Sequence, residues 1–469
     1  MNNNLFLAVD LGASSGRLIL GEKINGKIET EEVYRFENGI TEIDGSLCWD
    51  IKGIFNHIIE GLKHCKEIGK IPSAMAIDTW GVDHVILDEN DEIIGKSYAY
   101  RDPRTNDIPE KYFEKMSEKE LYERTGCQAS SINSLFQLYE RKLNRPEEIA
   151  SAKAFLMVPE YLNFLLTGVK KNEFTETTTS NMINVETGDW DEKVLSILGF
   201  EKGVFKKPCA SGEKVGAFTD EVSKKVGFSA DVYLAASHDT ASAVLAIPSQ
   251  SPDIVFISSG TWSILGIETD KPVISKAGFN AGFTNEGSFG GRNRYLKNIN
   301  GLWFVQSVRR ELNKKYSFGE LADMARECSD FPSAIDVSDP RFIAPKNMID
   351  EIKAFCRDKG LKVPESIGEV MQSIYSGLSN EYKKCFDLLK DITNKDFKAI
   401  HIVGGGSKDD YLDELTANKC GVPVYAGPTE CSATGNLLAQ MLAKGEFSNV
   451  SEAKKAVADT FSLIKYDIK

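Results

Sequence analysis

The chain has 469 residues, of which 42% are hydrophobic and 27% are charged, the proportions of a soluble globular protein. This length exceeds one ordinary hydrophobic core and predicts two or three domains. The formal net charge of −13 at pH 7 argues against nucleic acid and against an anionic membrane surface as partners.

The N-terminus and the cysteines favour a cytoplasmic protein. Residues 1–4 lead directly into an apolar strand pattern, with no basic segment and no apolar signal core. No apolar run approaches the roughly 20 residues of a membrane-spanning helix. The nine cysteines form no C-x-x-C pair, and the five histidines show no metal-ligand spacing. We therefore expect reduced thiols and no zinc site.

The first third of the chain predicts an α/β core that opens on antiparallel strands. Asn25-Gly26 between two strand-like runs is a strong hairpin signal. The predicted strands are 5–10, 17–23, 27–36 and 73–78, with a helix over 51–68 and a hairpin-like pair over 84–95. A dinucleotide-binding domain would open on strand, helix and strand instead.

The middle and the C-terminal part alternate helices and strands. Residues 105–230 read as mostly helical, and 174–184 have the composition of a loop. A helix over 368–391 and a buried strand over 399–403 precede three glycines, Gly404 to Gly406. Ser407 and Asp410 then predict the start of a helix, as an S-x-x-D pattern does. A strand over 422–427 and a helix that contains Pro428 early complete this half.

The opening pattern returns at residues 253–269, which again read as strand, small polar turn and strand. This weak internal repeat predicts a duplicated domain with one phosphate-facing hairpin in each half. A chance likeness between two hairpins is the alternative.

The turn in "AVDLGASSGR", residues 8–17, has the chemistry of a phosphate site. Backbone N–H groups of Gly12 to Gly16 could converge on phosphate oxygens, Ser14 and Ser15 add hydroxyls, and Arg17 adds a guanidinium. Asp10 is a hard oxygen ligand suited to Mg²⁺. The alternative is an ordinary tight turn with an exposed Asp.

"AASHDTASAV", residues 235–244, places Asp239 between His238 and Thr240 at a predicted strand–helix junction. A lone carboxylate there can accept a proton from an attacking hydroxyl. The alternative is that Asp239 only caps the helix, and that His238 is a packing residue.

Two further stretches combine carboxylates with aromatic or basic residues. "AIDTWGVD", residues 76–83, offers an aromatic face beside polar groups, as a sugar ring requires, or a solvated strand end with Trp80 in the core. "AYRDPRTN", residues 99–106, is typical of a surface salt-bridge turn. The Gly404 to Gly406 turn follows a strand, where nucleotides bind in α/β folds. Glycine turns at both ends and a base between them are the parts that phosphoryl transfer needs.

On these motifs, together with "SSGTWSILG" and "LKNINGLW", the chain resembles the FGGY carbohydrate kinases over nearly its whole length. The resemblance implies duplicated ribonuclease H-like (actin-like ATPase) α/β domains with a cleft between them, which we place at 1–246 and 247–469. Within the family it is most similar to the kinases that phosphorylate the C1 hydroxyl of L-rhamnulose.

The resemblance also implies roles for individual residues. Asp239 would be the proton acceptor, and Asp10 would lie close to Mg²⁺. The ketose contacts would be Gly81, His238, Asp239, Thr240 and Asn298. The ATP contacts would be Ala13, Ser14, Ser15, Gly16, Arg17, Thr261, Gln306 and Gly405. We expect a ketose and MgATP as partners, no nucleic acid or membrane, and a monomer or weak homodimer.

Three other functions compete with this prediction. One is an FGGY kinase for L-fuculose, L-ribulose or D-xylulose. Another is a non-catalytic actin-like ATP-binding protein, which would not need the polar residues around Asp239. A nicotinamide oxidoreductase is excluded because no strand-GxGxxG-helix unit is present.

Overall fold

The computed structural model describes residues 4–343 and 345–469, so the expectation for residues 1–3 lies outside the described part. The strands are β1 Phe6–Leu11, β2 Ser15–Ile24, β3 Lys27–Glu37, β4 Ile40–Ile43, β5 Ser46–Trp49, β6 Ala74–Thr79, β7 His84–Leu87, β8 Ala154–Met157, β9 Asn172–Glu173, β10 Pro208–Cys209, β11 Lys214–Ala217, β12 Asp231–His238, β13 Ile254–Ser259, β14 Trp262–Thr269, β15 Thr284–Gly287, β16 Asn293–Asn300, β17 Ala399–Val403, β18 Val424–Ala426 and β19 Ile464–Tyr466. The helices are α1 Ile51–Glu67, α2 Ile108–Phe113, α3 Glu118–Thr125, α4 Ser134–Asn144, α5 Pro146–Ser151, α6 Val158–Thr167, α7 Phe174–Thr177, α8 Glu192–Leu198, α9 Asp220–Val226, α10 Asp239–Leu245, α11 Lys276–Ala281, α12 Trp303–Glu311, α13 Phe318–Glu327, α14 Met348–Asp358, α15 Ile367–Thr393, α16 Asp410–Cys420, α17 Cys431–Ala443 and α18 Val450–Thr460.

The chain divides into two compact units. Unit 1 contains Met1–Ser249, Glu268–Tyr295 and Ser432–Thr460, and unit 2 contains Gln250–Ile267, Leu296–Cys431 and Phe461–Lys469. Ser432–Thr460 therefore belongs to unit 1, whereas the sequence analysis places it in the second domain. The predicted boundary at residues 246 and 247, and the cleft, stay predictions.

The two large sheets repeat one topology, as the internal repeat predicted. The first has the order β3-β2-β1-β6-β12-β11, in which β1, β6 and β12 are parallel and the flanking pairs are antiparallel. The second has the order β16-β14-β13-β17-β18-β19, with β13, β17 and β18 parallel, and β15 adds a seventh strand next to β16. This is the mixed α/β, duplicated architecture that was predicted.

The strands β1 and β6 and the helix α1 form where the sequence predicts them because their apolar residues are buried in one core. β1 and β6 are buried along their whole length, as parallel strands covered on both faces are. α1 buries Ile54, Ile58 and Leu62 against the same core, since residues three and four apart share one helix face. Asp50 begins the helix by accepting a hydrogen bond from the Gly53 N–H at 2.8 Å.

Several local predictions were wrong. Residues 174–184, expected as a loop, contain α7 and a 3₁₀ turn at Thr178–Ser180. Here hydroxyls bond back to carbonyls three residues earlier, as Thr179 does to Glu176 at 2.8 Å. The hairpin-like pair over 84–95 is present in part: β7 contacts its own continuation through the antiparallel bridge between Leu87 and Ile93 and the bond from the Ile94 N–H to the Ile86 carbonyl at 2.9 Å, and β7 also pairs with β8. The strand over 422–427 was correct, whereas α17 begins at Cys431, after Pro428.

The predicted start of α16 and the predicted exposure of Asp102 were also wrong. α16 is capped by Asp409, which accepts from the Leu412 N–H at 3.2 Å, whereas the Ser407 hydroxyl donates to the Gly404 carbonyl. Asp102, expected on a surface turn, is 5% exposed and accepts from the Leu47 N–H at 2.6 Å. Within 4–343 and 345–469, no helix has the length and apolar character to cross a bilayer.

Candidate functional site

Unit 1 brings several predicted residues together at the carboxyl ends of three parallel strands. Asp10 of β1 and Asp78 of β6 are direct cross-strand neighbours, and Thr79 of β6 lies opposite His238 of β12. Asp239 follows at once as the first residue of α10. Adjacent strands lie about 4.8 Å apart, so this edge concentrates carboxylates. Asp10 and Asp239 therefore lie at one edge of the same sheet.

The two strand-end carboxyls, Asp10 and Asp78, are buried, and burial disfavours the charged form of each. Burial raises the pKa of Asp10, which the ion pair with Arg17 opposes. Burial raises the pKa of Asp78 well above its ordinary value, and the negative charge of Asp10 adds to this. Asn436 of α17 donates to Asp78 Oδ2 at 2.6 Å, whereas Asp78 Oδ1 has no hydrogen-bond partner among the described residues.

This pair fits a divalent cation of the magnesium type. Mg²⁺ in kinases is bound through one or two carboxylates, with waters and phosphate oxygens completing its coordination. The orphaned Asp78 Oδ1 beside Asp10 provides such carboxylates. Across the described ranges, no cluster of three or more His, Cys, Asp or Glu side chains could hold a metal alone. The motif "AIDTWGVD" contains Asp78, but the sequence alone assigns it no function. Its register with Asp10 indicates that it belongs to the candidate cation site.

The turn between β1 and β2 is compact and faces solvent. The Gly12 N–H donates to the Ser15 carbonyl at 2.9 Å, and Asn38 donates to the Gly12 carbonyl at 2.8 Å. The side chains of Ala13 and Ser14 are exposed at the tip. A Cβ on Gly16 would lie 2.2 Å from the Phe36 ring, so glycine is required there.

Asp239 is not a helix cap, because His238 occupies the N-cap position of α10 and makes no capping bond. The Asp239 side chain is 33% exposed. Its Oδ1 accepts from the Thr240 hydroxyl at 3.0 Å and lies 3.5 Å from His238 Nε2. The carboxylate is thus both oriented and accessible.

Behind His238 lies a buried ion pair that sequence reasoning missed, Glu286 of β15 and Arg294 of β16. Arg294 is 0% exposed, and its Nη2 lies 3.0 Å from His238 Nδ1. Burial lowers the pKa of Arg294, which the charge of Glu286 opposes. No local pattern connects residues 56 positions apart, so only the fold reveals this contact.

After β6, the Thr179 side chain packs against the backbone of Gly81 and Val82. The Val82 N–H donates to Thr179 Oγ1 at 2.9 Å, and a Cβ on Gly81 would lie 2.9 Å from the Thr179 side chain. Trp80 is only 7% exposed and its ring centroid lies 4.0 Å from that of Trp49. The core interpretation of Trp80 is therefore correct, and the exposed aromatic wall is wrong.

Asp83 binds these two indoles from inside the core. Its Oδ2 accepts from Trp49 Nε1 at 2.6 Å and Trp80 Nε1 at 3.0 Å, and Oδ1 accepts from Gln137 at 3.0 Å. Burial raises the pKa of Asp83 to about 6, against the opposing effect of these donors.

Unit 2 carries the other four predicted residues. Thr261 follows β13 in the second hairpin turn, and its hydroxyl donates to Gln306 Oε1 of α12 at 3.2 Å. Gly405 is exposed, and a Cβ there would meet no atom within 4 Å, whereas a Cβ on Gly406 would lie 1.9 Å from Ser259 Oγ. The glycine turn therefore lies against the second hairpin, and Asn298 is exposed on β16.

Comparisons with known proteins agree with this arrangement. The chain matches the FGGY family of carbohydrate kinases, N-terminal domain, over residues 5–246 and its C-terminal domain over residues 255–444. It is 43% identical to a rhamnulokinase of Halalkalibacterium halodurans, with 99% of this chain and 98% of that protein covered. A rhamnulokinase of Oceanobacillus iheyensis is 41% identical, with 98% and 97% covered.

Solved structures share the fold at low sequence identity. A xylulose kinase from Lactobacillus acidophilus has a TM-score of 0.79 at 18% identity, covering 99% of this chain and 94% of that one. Plasmodium falciparum glycerol kinase with ADP has a TM-score of 0.79 at 13% identity, covering 100% and 95%. These neighbours have the duplicated actin-like ATPase fold, as this chain does. The chain belongs to the FGGY family of carbohydrate kinases and is an ATP-dependent sugar kinase.

Proposed function

We propose that this kinase transfers the γ-phosphoryl group of ATP to the C1 hydroxyl of L-rhamnulose, with Asp239 as general base. The names of the relatives at 43% and 41% identity over nearly the full chain support the substrate. The observation that carries the chemistry is the accessible Asp239 carboxylate beside the buried pair Asp10 and Asp78 at one sheet edge.

Asp239 has the geometry of a proton acceptor with one oxygen free for substrate. Both described contacts of the carboxylate, from Thr240 Oγ1 and His238 Nε2, go to Oδ1. Oδ2 then accepts the C1 hydroxyl proton while the hydroxyl oxygen attacks the γ-phosphorus. The bond from the γ-phosphorus to the bridging oxygen breaks, and its electron pair leaves with ADP.

The ketose contacts follow from the same edge. Thr179 packs against Gly81 and holds the Val82 N–H, which fixes the Gly81 backbone beside this edge, and we assign Gly81 as a ketose contact. His238 and Thr240 flank the base at this edge. Asn298 stays a proposed ketose contact on the family resemblance alone.

For ATP, we assign the phosphates to the solvent-facing turn from Ala13 to Arg17, through its N–H groups and hydroxyls. Thr261 and Gln306 also contact ATP, and the open position at Gly405 lies along the adenosine. Asp10 and Asp78 would hold Mg²⁺, which would neutralise phosphate charge when bound.

Other parts of the proposal follow from charge and sequence. With a net charge of −13, we expect no nucleic acid or membrane partner. We also propose a cytoplasmic location and a monomer or weak homodimer. The two functional domains are placed at residues 1–246 and 247–469.

A substrate panel tests the proposed function. ADP release is measured with MgATP and L-rhamnulose, L-fuculose, L-ribulose or D-xylulose, and without sugar as the control. We expect the highest kcat/KM with L-rhamnulose, and a ¹H–³¹P correlation that places the phosphate on C1 of the product. A higher kcat/KM with another ketose would assign the enzyme to that sugar, and a phosphate on another carbon would contradict the proposed acceptor.

A further inference from the structure

The environment of His238 contains a contact that fixes the position of its proton. Arg294 Nη2 lies 3.0 Å from His238 Nδ1 with hydrogen-bond geometry. A guanidinium has donors and no acceptor, so Nδ1 must supply the lone pair of this bond. A neutral imidazole with a lone pair on Nδ1 carries its proton on Nε2. Nε2 is the atom that faces Asp239 Oδ1 at 3.5 Å.

The opposite tautomer conflicts with the same geometry. Glu286 Oε2 lies 3.2 Å from His238 Nδ1 and could accept a proton from it. That proton would then meet the N–H that Arg294 directs at Nδ1. Glu286 Oε2 lies just as close, 3.1 Å, to Arg294 Nη2, and against its burial the charge of Arg294 is the first influence that lowers the pKa of Glu286. Glu286 therefore balances the charge of Arg294, while Arg294 selects the tautomer.

The backbone of His238 is fixed by separate contacts. The Ser237 N–H donates to Glu173 Oε2 at 3.3 Å, and the His238 N–H donates to Thr175 Oγ1 at 3.3 Å. All of these groups are buried. Because the backbone is held on one side and Nδ1 on the other, the direction of Nε2 is determined by Arg294.

We propose that Arg294 is a positioning residue for the phosphoryl transfer, which it serves by keeping the His238 proton on Nε2. This Nε2–H points toward Asp239, so it orients the carboxylate and is available to a sugar hydroxyl. The inference rests on the proposed function, in which Asp239 is the base and His238 contacts the ketose.

The tautomer is measured directly in the wild-type protein labelled with ¹⁵N in its histidine rings. The chain has five histidines, and the His238 signals are those lost in His238→Gln. We expect the two ¹⁵N shifts of His238 to show a proton on Nε2 and a bare Nδ1. A proton on Nδ1 with a bare Nε2 would overturn the proposal, whatever the variants do.

The kinetic test uses Arg294→Met combined with Glu286→Gln, so that no buried charge is left unpaired. We expect kcat to fall by about 10- to 100-fold, the loss seen when a partner that orients a metal-binding histidine is removed, and the KM for ATP to remain unchanged. Arg292→Met is the matched control, because Arg292 is 39% exposed and pairs with Glu268 and Asp270 at the surface. It should retain wild-type kcat.

The outcomes separate this inference from the proposed function. A folded double variant with wild-type kcat would overturn the positioning role. If the double variant does not fold, the wild-type ¹⁵N shifts decide the matter. Full turnover by Asp239→Asn together with a bare Nδ1 would refute the proposed base and leave the tautomer assignment standing.

Discussion

The stability of unit 1 should depend on pH through Asp83 in a way that Asp83→Asn removes. Asp83 is 0% exposed, and its pKa is raised from 3.8 to about 6. A carboxyl with a raised folded-state pKa binds more protons folded than unfolded, so its contribution to stability is lost as pH rises from 3.8 through 6. Each pKa unit corresponds to about 1.4 kcal/mol, which makes the full loss about 3 kcal/mol at pH 8.

About half of this loss, roughly 1.4 kcal/mol, should occur between pH 5 and pH 8. The assay is urea unfolding of wild type and Asp83→Asn across that range, followed by tryptophan fluorescence, to which Trp49 and Trp80, the donors to Asp83, contribute. Because the variant has no carboxyl to titrate, its stability lacks this loss, and any deficit relative to wild type should shrink by about 1.4 kcal/mol from pH 5 to pH 8. A deficit that is constant or grows with pH would refute this reasoning.

Two further predictions concern Asp78 in unit 1 and Gly406 in unit 2. Asp78→Asn in EDTA should raise the unfolding midpoint, because burial and the charge of Asp10 both oppose the charged form of this carboxyl, and stabilisation by Mg²⁺ should weaken. An unchanged midpoint would contradict the unfavourable pairing with Asp10. Gly406→Ala should destabilise unit 2 by about 1–3 kcal/mol, because the new Cβ would meet Ser259 Oγ. Gly405→Ala is the control, because its Cβ would have open space, and it should unfold like wild type in the same calorimetric scan. Equal midpoints for the two variants would be inconsistent with the close approach of Gly406 to Ser259.

Much of the fold was predictable because its signals are local. Hydrophobic period and the Asn25-Gly26 turn indicated the first three strands, and the helical spacing indicated α1 and α15. The 174–184 stretch failed because its polar composition is that of a loop, whereas Thr and Ser hydroxyls satisfy a buried helical turn there. These hydrogen bonds from side chain to backbone depend on the folded conformation, and composition alone does not reveal them.

Short motifs single out Asp10 and Asp239 from the sequence alone, and their roles stay predictions. The site was not predictable where distant strands meet. Asp78 gains meaning only from its register with Asp10, and Arg294 only from its contact with His238. Asn436 reaches Asp78 from a helix 358 residues away. Such contacts depend on topology, which a single sequence does not display.

The most direct test of the central claim is the turnover of Asp239→Asn with L-rhamnulose and MgATP. Asp107→Asn is the matched control, since this exposed carboxylate of unit 1 pairs only with Lys111 among the described residues. With a general base removed, kcat should fall by about 10²- to 10⁴-fold, while thermal unfolding remains that of the wild type. The control should turn over normally. Near-normal kcat in the Asp239→Asn variant would contradict the assignment of Asp239 as the base.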